Sequence, residues 1–388
     1  MLFVKTSDLK KGMRLARPIY NKDGVLLYER NSKLTAQGIQ SIEAFKLIGL
    51  FILEPAEPVP PMTQEDILFE RFQTMTVFSL REELLKIKDE KEKGAKLHVI
   101  ANNILRRYGN LDKKINFIQN LRSKEDYVYK HALNVGILCA MIANVLNLKM
   151  EERMNLIYAA LLHDIGKLSV PKAIADKDEP NEEELQVINT YAEAGHELIG
   201  SVFIDSPGIK RLCVQMRKIW ENFREGESDP KVRMPMGAQA LLVADTYDTM
   251  TAMRLEHSPE SGVTAIKYLM KNPDVFHPDI VDALIQSVNI LVPGVSVELS
   301  TGEKAIVIQG NDSDILRPMV LGFRNNNVMD LSGREYKDLE ITDIMRTMDN
   351  RHVMDPELLR ENGFPVPGQE DTKQQNGSGE QAAGNTQE

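Results

Sequence analysis

The sequence predicts a mainly α protein, with a small α+β module at its N-terminus and a small β-rich unit toward its C-terminus. Three observations point that way. Apolar residues recur at helical spacing from Glu65 to about Ile290, as in Leu133, Ile137, Met141 and Val145. Residues 1–55 instead alternate short apolar runs with turn residues. After Pro293-Gly294 the texture changes again, to brief strand-like runs parted by Gly302, Gly310 and an Asn325-Asn-Asn turn.

In the first module, residues 1–55, Met13 to Tyr20, Asn21-Lys-Asp-Gly24 and Val25 to Tyr28 read as strand, turn, strand. Asp-Gly tolerates the positive φ angles of a tight hairpin turn. A helix begins near Leu34, with Thr35 as its cap, because a hydroxyl can accept from an otherwise orphaned backbone N–H. Leu50-Phe-Ile-Leu returns as a strand. Pro55, Pro58, Pro60 and Pro61 mark a linker where residues 56–120 begin, and these then turn helical from Glu65 to about Asn120. Within them, Lys86-Ile-Lys-Asp-Glu-Lys-Glu-Lys reads as a solvated helix face. Residues 121–290 form the helical domain. Val295-Ser-Val-Glu-Leu, Ala305-Ile-Val-Ile, Met319 to Phe323, Val328-Met-Asp-Leu and Leu339-Glu-Ile make a β unit over residues 291–345. Residues 346–388 are a tail, expected to be disordered after about Gly363, where Gln, Gly, Asn and Glu replace apolar residues.

The chain has 388 residues, 42% of them hydrophobic, and a net charge of −10. That balance argues against DNA, RNA or an anionic membrane as a partner. An anionic substrate would have to be drawn in by a local site. Cys139 and Cys213 lie among apolar residues, far apart, and read as buried thiols rather than a disulfide or a zinc site. No unbroken apolar run reaches ~18 residues, and the N-terminus lacks a signal-peptide core, so a cytoplasmic protein without membrane insertion is expected.

The most informative stretch is Ala160-Leu-Leu-His163-Asp164-Ile-Gly-Lys167. Adjacent imidazole and carboxylate groups reach one cation if the helix ends or bends there. Gly166 would supply the bend, and Lys167 a positive charge for a phosphate. His131 on an earlier helix and Asp245 in Leu241-Leu-Val-Ala-Asp245 are the further candidate ligands. Two imidazoles and two carboxylates suit Mn²⁺, Fe²⁺, Ni²⁺ or Zn²⁺ better than Ca²⁺. A His-Asp pair is also often no more than a helix-end hydrogen bond, and spacing does not bring His131 and Asp245 to the same point. Asp248 shares a helix face with Asp245 and reads as a supporting or a surface carboxylate.

The order His131, His163-Asp164, Asp245 resembles the HD superfamily of metal-dependent phosphohydrolases, and the detail resembles its HD-GYP branch. Tyr127-Val-Tyr-Lys-His131-Ala-Leu-Asn-Val-Gly is similar to the first ligand helix. His163-Asp-Ile-Gly-Lys167-Leu-Ser-Val-Pro171 is similar to the signature, and Val243-Ala-Asp245-Thr-Tyr-Asp-Thr-Met-Thr251 to the last ligand helix. The resemblance covers nearly all of the chain except the tail. It implies an all-helical HD domain in a bacterial signalling protein, with cyclic di-GMP hydrolysed to pGpG or GMP. His131, His163, Asp164 and Asp245 would hold the first metal. Asp164 would bridge to a second metal, and Lys167 would contact substrate phosphate or the attacking water. Arg254, in Thr251-Ala-Met-Arg254, would face the substrate.

Elsewhere the pattern fails. Tyr191 stands where the first second-metal histidine belongs, in Ile188-Asn-Thr-Tyr191-Ala-Glu-Ala-Gly195. His196 is five residues on, about 140° around a helix, and reads as a surface or capping residue. Ile219 and Trp220 replace the other two histidines, the Gly-Tyr-Pro loop is gone, Gln239 replaces an arginine, and Leu255, Glu256 and His257 follow Arg254. Trp220 would fill the emptied cavity. The sequence therefore predicts one divalent transition metal (Mn, Fe, Ni or Zn) and no second, with degenerate or altered activity. The alternatives are a non-catalytic scaffold or nucleotide sensor with a protein partner, and a single-metal HD phosphohydrolase acting on another nucleotide.

Overall fold

A computed structural model describes residues 2–21, 24–44, 49–53, 63–175, 177, 179–224, 235–254, 259–324 and 326–344. In the N-terminal module, β1 (Leu2–Lys5), β2 (Arg14–Leu15), β3 (Ile19–Tyr20), β4 (Leu26–Tyr28), α1 (Ala36–Ala44) and β5 (Gly49–Leu53) follow in order. β5 lies between β1 and β2, antiparallel to both, and β3 pairs with β4. Gly24, at φ +74°, takes the left-handed turn before β4 that a side chain would resist. The Thr35 hydroxyl accepts from Gly38 N at 3.0 Å and so caps α1, as expected.

The body of the molecule is helical. Its elements are α2 (Gln64–Glu90), α3 (Ala95–Tyr108), β6 (Leu121–Arg122), α4 (Tyr127–Val145), α5 (Met150–Leu162), a 3₁₀ turn over Ile165–Ser169, α6 (Lys172–Ala175), α7 (Glu182–Val202), α8 (Pro207–Arg224), α9 (Met236–Thr251), β7 (Met253–Arg254), α10 (Gly262–Lys271) and α11 (Pro278–Ile285). α4 is the central helix. Every residue from His131 to Ala143 is buried, and neighbours α2, α3, α5, α9 and α11 surround it. A helix apolar on all faces is a core helix or a membrane span. α4 is long and apolar enough to cross a membrane by length and composition, and 78% of that stretch is buried inside the protein. Lys130, His131 and Asn134 interrupt it, which hides it from a search for an unbroken apolar run.

A five-stranded antiparallel sheet follows, in the order β11-β10-β9-β8-β12, from β8 (Ser296–Leu299), β9 (Lys304–Gln309), β10 (Met319–Gly322), β11 (Val328–Asp330) and β12 (Ile341–Ile344). Its inner residues, such as Val297, Val307 and Val320, join the same hydrophobic core as the helices. Cys139 and Cys213 are free, buried thiols.

Three expectations need correction. The helix expected to run to Asn120 ends at Tyr108, and residues 109–120 form a loop. Its backbone is satisfied by the far end of the domain, through Ile115 N to Ser287 O at 3.1 Å and Asn289 N to Ile115 O at 2.8 Å. The charged run Lys86–Lys93 is not one solvated face. α2 stops at Glu90, Lys91 turns left-handed at φ 59°, and Ile87 is fully buried. The last strand begins at Ile341, not Leu339. The proline linker, Asn325 and the tail lie outside the described residues.

Candidate metal centre and the cavity beside it

Three helical segments deliver the four proposed metal ligands to one place. α4 presents His131, α9 presents Asp245, and the end of α5 presents His163 with Asp164 directly after it. His131 Nε2 lies 2.9 Å from Asp245 Oδ1, His163 Nε2 lies 3.2 Å from the same oxygen, and the two Nε2 atoms are 3.3 Å apart. Asp164 Oδ2 stands 3.7 Å from each imidazole. His131, His163 and Asp164 form a compact His/Asp cluster; Asp245 is not part of that group and meets it only through the two imidazoles.

The tautomers point the same way. His163 Nδ1 donates to Ala160 O at 2.8 Å, and His131 Nδ1 donates to Asp248 Oδ2 at 2.7 Å. Each ring then turns the lone pair of Nε2 toward the cluster, as metal-binding histidines do. Two facing lone pairs repel unless a proton or cation lies between them. Two ligands ~2.1 Å from one ion, at angles near 90–110°, sit about 3.0–3.4 Å apart. The spacings among His131, His163 and Asp245 fall close to that range, and Asp164, at 3.7 Å from each imidazole, stands wider. Without metal, burial disfavours charge on His131, but Tyr127, Asp245 and Asp248 outweigh it and push its pKa up to about 10. A proton is held where a cation fits.

Asp248 is a supporting carboxylate and not a surface one: its side chain is fully buried. Besides His131, it accepts from Arg122 Nη2 at 2.7 Å, Gln119 Nε2 at 3.0 Å and Asn134 Nδ2 at 3.0 Å. Burial opposes its charge, but Arg122 and His131 together hold its carboxyl well below the usual range. Sequence reasoning missed Arg122, Gln119 and Asn134. A helical spacing rule could have singled out Asn134, one turn from His131, but Gln119 lies in a loop and Arg122 in the two-residue strand β6, too short to show a periodicity.

Gly166 is required by close approach rather than by a special backbone angle. A Cβ there would sit 2.2 Å from Tyr191 O, and a Cβ on Gly195 would sit 2.7 Å from Gly166 N. The 3₁₀ turn thus lies directly on α7, which places Lys167. Its Nζ donates to Asp164 Oδ2 at 2.6 Å, and its side chain remains 43% exposed.

Lys167 and Arg254 line one cavity of about 500 Å³, with Arg122, Lys124, Lys172 and Lys177 on its walls. Arg254 Nη2 donates to the Tyr127 hydroxyl at 2.9 Å, and its guanidinium stacks on that ring at 4.5 Å. Tyr127 in turn stacks on His131. Arg254, expected to face the substrate, thus lies beside Tyr127, where the β6–β7 pairing of Arg122 with Arg254 places it.

Residues 116–280 match the family model described as HD domain. The chain is similar to a cyclic di-GMP phosphodiesterase of Pseudomonas aeruginosa, 24% identical over 208 residues, or 52% of this chain and 49% of that one. It is also similar to the cyclic di-GMP phosphodiesterase response regulator RpfG of Xanthomonas campestris pv. campestris, 27% identical over 154 residues, 38% of this chain and 40% of that one. The cyclic di-GMP phosphodiesterase PdeB of Borreliella burgdorferi is 23% identical over 212 residues, 53% of this chain and 55% of that one. Residues 116–280 therefore carry an HD domain, and the relatives support its likeness to the HD-GYP type. The chain spans about half the length of the curated relatives it matches.

Within this HD domain, the positions that depart from the HD-GYP pattern fall as follows. Ile219 is buried in the core, at 4% exposure. Trp220 is half-buried and packs on Phe223, with ring centroids 5.7 Å apart. Tyr191 lends its backbone oxygen to the packing against Gly166. His196, on α7, is not a surface residue: it is buried, at 7% exposure. Gln239 is buried, and its Oε1 accepts from His277 N at 3.3 Å, so it ties α9 to the start of α11. Leu255, Glu256, His257 and the stretch from Gly226 to Pro230 lie outside the described residues.

Proposed function

We propose that the HD domain binds one divalent transition metal (Mn, Fe, Ni or Zn) through His131, His163, Asp164 and Asp245, and a nucleotide phosphoester beside it. The observation that carries this is the convergence of two imidazole Nε2 atoms and Asp245 Oδ1 within 2.9–3.3 Å of one another. When bound, such a metal supplies Lewis acidity, which lowers the pKa of water and polarises a phosphoryl oxygen. The residues do the rest. Asp248 and Ala160 O orient the two imidazoles. Lys167 and Arg254 offer charge to the phosphate, and Lys167, poised on Asp164, steadies the phosphoryl oxygens or the attacking water. The relatives named as cyclic di-GMP phosphodiesterases support cyclic di-GMP, or another nucleotide phosphoester, as the ligand.

Tyr191, Ile219 and Trp220 favour a second reading. None can bind a second cation as imidazole does, so hydrolysis is degenerate or altered, and the domain serves as a nucleotide sensor or scaffold for a protein partner. One experiment separates the readings: metal content per chain measured beside cyclic di-GMP turnover in the same preparation. One metal with turnover supports the single-metal phosphohydrolase. One metal with nucleotide binding and no turnover supports the sensor. Two metals per chain with rapid turnover would sink the single-metal centre.

A further inference from the structure

A second cavity, of about 480 Å³, lies between the N-terminal module and the helical body, on the far side of Arg81 and Tyr129 from the basic cavity. Its size falls in the ~300–1,000 Å³ range of small-ligand sites. β3 and β5 form one wall, and α2 with the start of α4 the other. Three features define what it would hold. Glu70 lines it with a side chain 9% exposed, and its nearest cation, Arg17 Nε, stands at ion-pair distance, 3.5 Å. Aromatic rings from Tyr20, Phe78 and Tyr129 line the same space, and Phe78 is 41% exposed although large and apolar. Arg81 stacks on Tyr129 at 5.6 Å and has no carboxylate at ion-pair distance among the described residues.

The charges sort into pairs. Lys130 is held by Asp126 at 2.6 Å and by Leu121 O, and Arg17 stands by Glu70, which leaves Arg81 as the cation in excess. A cationic ligand is therefore disfavoured. Burial raises the Glu70 pKa against the opposing charges of Arg17 and Arg30. A ligand that answers all three features has a flat ring for the aromatic side chains, neutral N–H donors for the carboxylate, and an anionic group for Arg81. Guanine presents two adjacent N–H donors on one edge, and its mononucleotides carry the phosphate.

We propose that this cavity binds a guanine mononucleotide, with the base edge on Glu70, the ring against Phe78 and Tyr129, and the phosphate at Arg81. The site is separate from the metal cluster, and the proposal holds whether or not the HD domain hydrolyses anything. Arg17 also donates to Gln119 O at 3.0 Å, so the cavity wall touches the loop whose side chain supports Asp248.

The test is calorimetric titration of GMP, AMP and inorganic phosphate into the metal-free full chain. GMP should bind at one site. AMP, whose ring nitrogen accepts where that of guanine donates, should bind at least about tenfold more weakly, as loss of a hydrogen bond to a charged group predicts. Glu70→Gln and Phe78→Ala should each weaken GMP at least about tenfold, and Phe78, being partly exposed, can be truncated without a core cavity. Asp164→Ala should leave GMP binding intact. Absence of GMP binding, equal affinity for AMP, or binding lost in Asp164→Ala but kept in Glu70→Gln and Phe78→Ala would overturn the proposal.

Discussion

Asp248 holds the other nitrogen of His131, at 2.7 Å. Carboxylates that orient a metal-binding imidazole typically contribute 10–100-fold to metal affinity. Asp248→Asn should therefore weaken Mn²⁺ binding by about that factor, measured by titration calorimetry, with a native circular dichroism spectrum. Unchanged affinity would show that the 2.7 Å contact does not position the ring. Lys167 lies outside the imidazole cluster, so Lys167→Met should leave metal content at wild-type level and weaken nucleotide binding at least about tenfold, since a charged hydrogen-bond donor is lost. His196 makes a different prediction. Burial, Arg217 and His163 all disfavour its imidazolium and lower its pKa from 6.5 to about 4. Between those values the unfolded chain takes up a proton that the folded one refuses. The stability contributed by neutral His196 is thus complete above pH 6.5 and falls as pH drops toward 4. Melting temperature followed across that window should fall less steeply in His196→Gln than in the wild type.

At the scale of elements, the site depends on how tightly the 3₁₀ turn after α5 lies on α7. Gly166→Ala would push a methyl to within 2.2 Å of Tyr191 O, a backbone atom that cannot rotate away. Overpacking of this kind costs about 1–3 kcal/mol. A lower thermal midpoint together with weaker metal binding is expected, because the displaced turn carries Asp164 and Lys167. A midpoint equal to wild type would mean that α7 yields more easily than its packing suggests. α4 shows the complementary case. Its residues pack on α2, α3, α5, α9 and α11, so His131 sits on a helix enclosed on all sides and needs no loop to aim it.

At the scale of the whole molecule, metal would join helices distant in sequence, and a ligand that binds only the folded state stabilises it by mass action. At a hundredfold excess over Kd the gain is about 2.7 kcal/mol. Chelation should lower the melting temperature of the metal-loaded protein, and Mn²⁺ should restore it; a melting curve insensitive to chelator would count against the four-ligand site. By itself the sequence determined the mainly α class, the flanking β texture and the free thiols, and it singled out His131, His163, Asp164 and Asp245 as candidates. Those features come from local periodicity, turn chemistry and residue type. It misplaced the loop after Tyr108 and took His196 for a surface or capping residue, because backbone partners such as Ser287 and helix neighbours such as Arg217 come from far along the chain. Convergence itself, with Asp248, Arg122, Gln119 and Asn134 behind His131, was decided only by tertiary structure. Spacing along a helix says which residues share a face, but the packing of α4, α5 and α9 sets which faces meet.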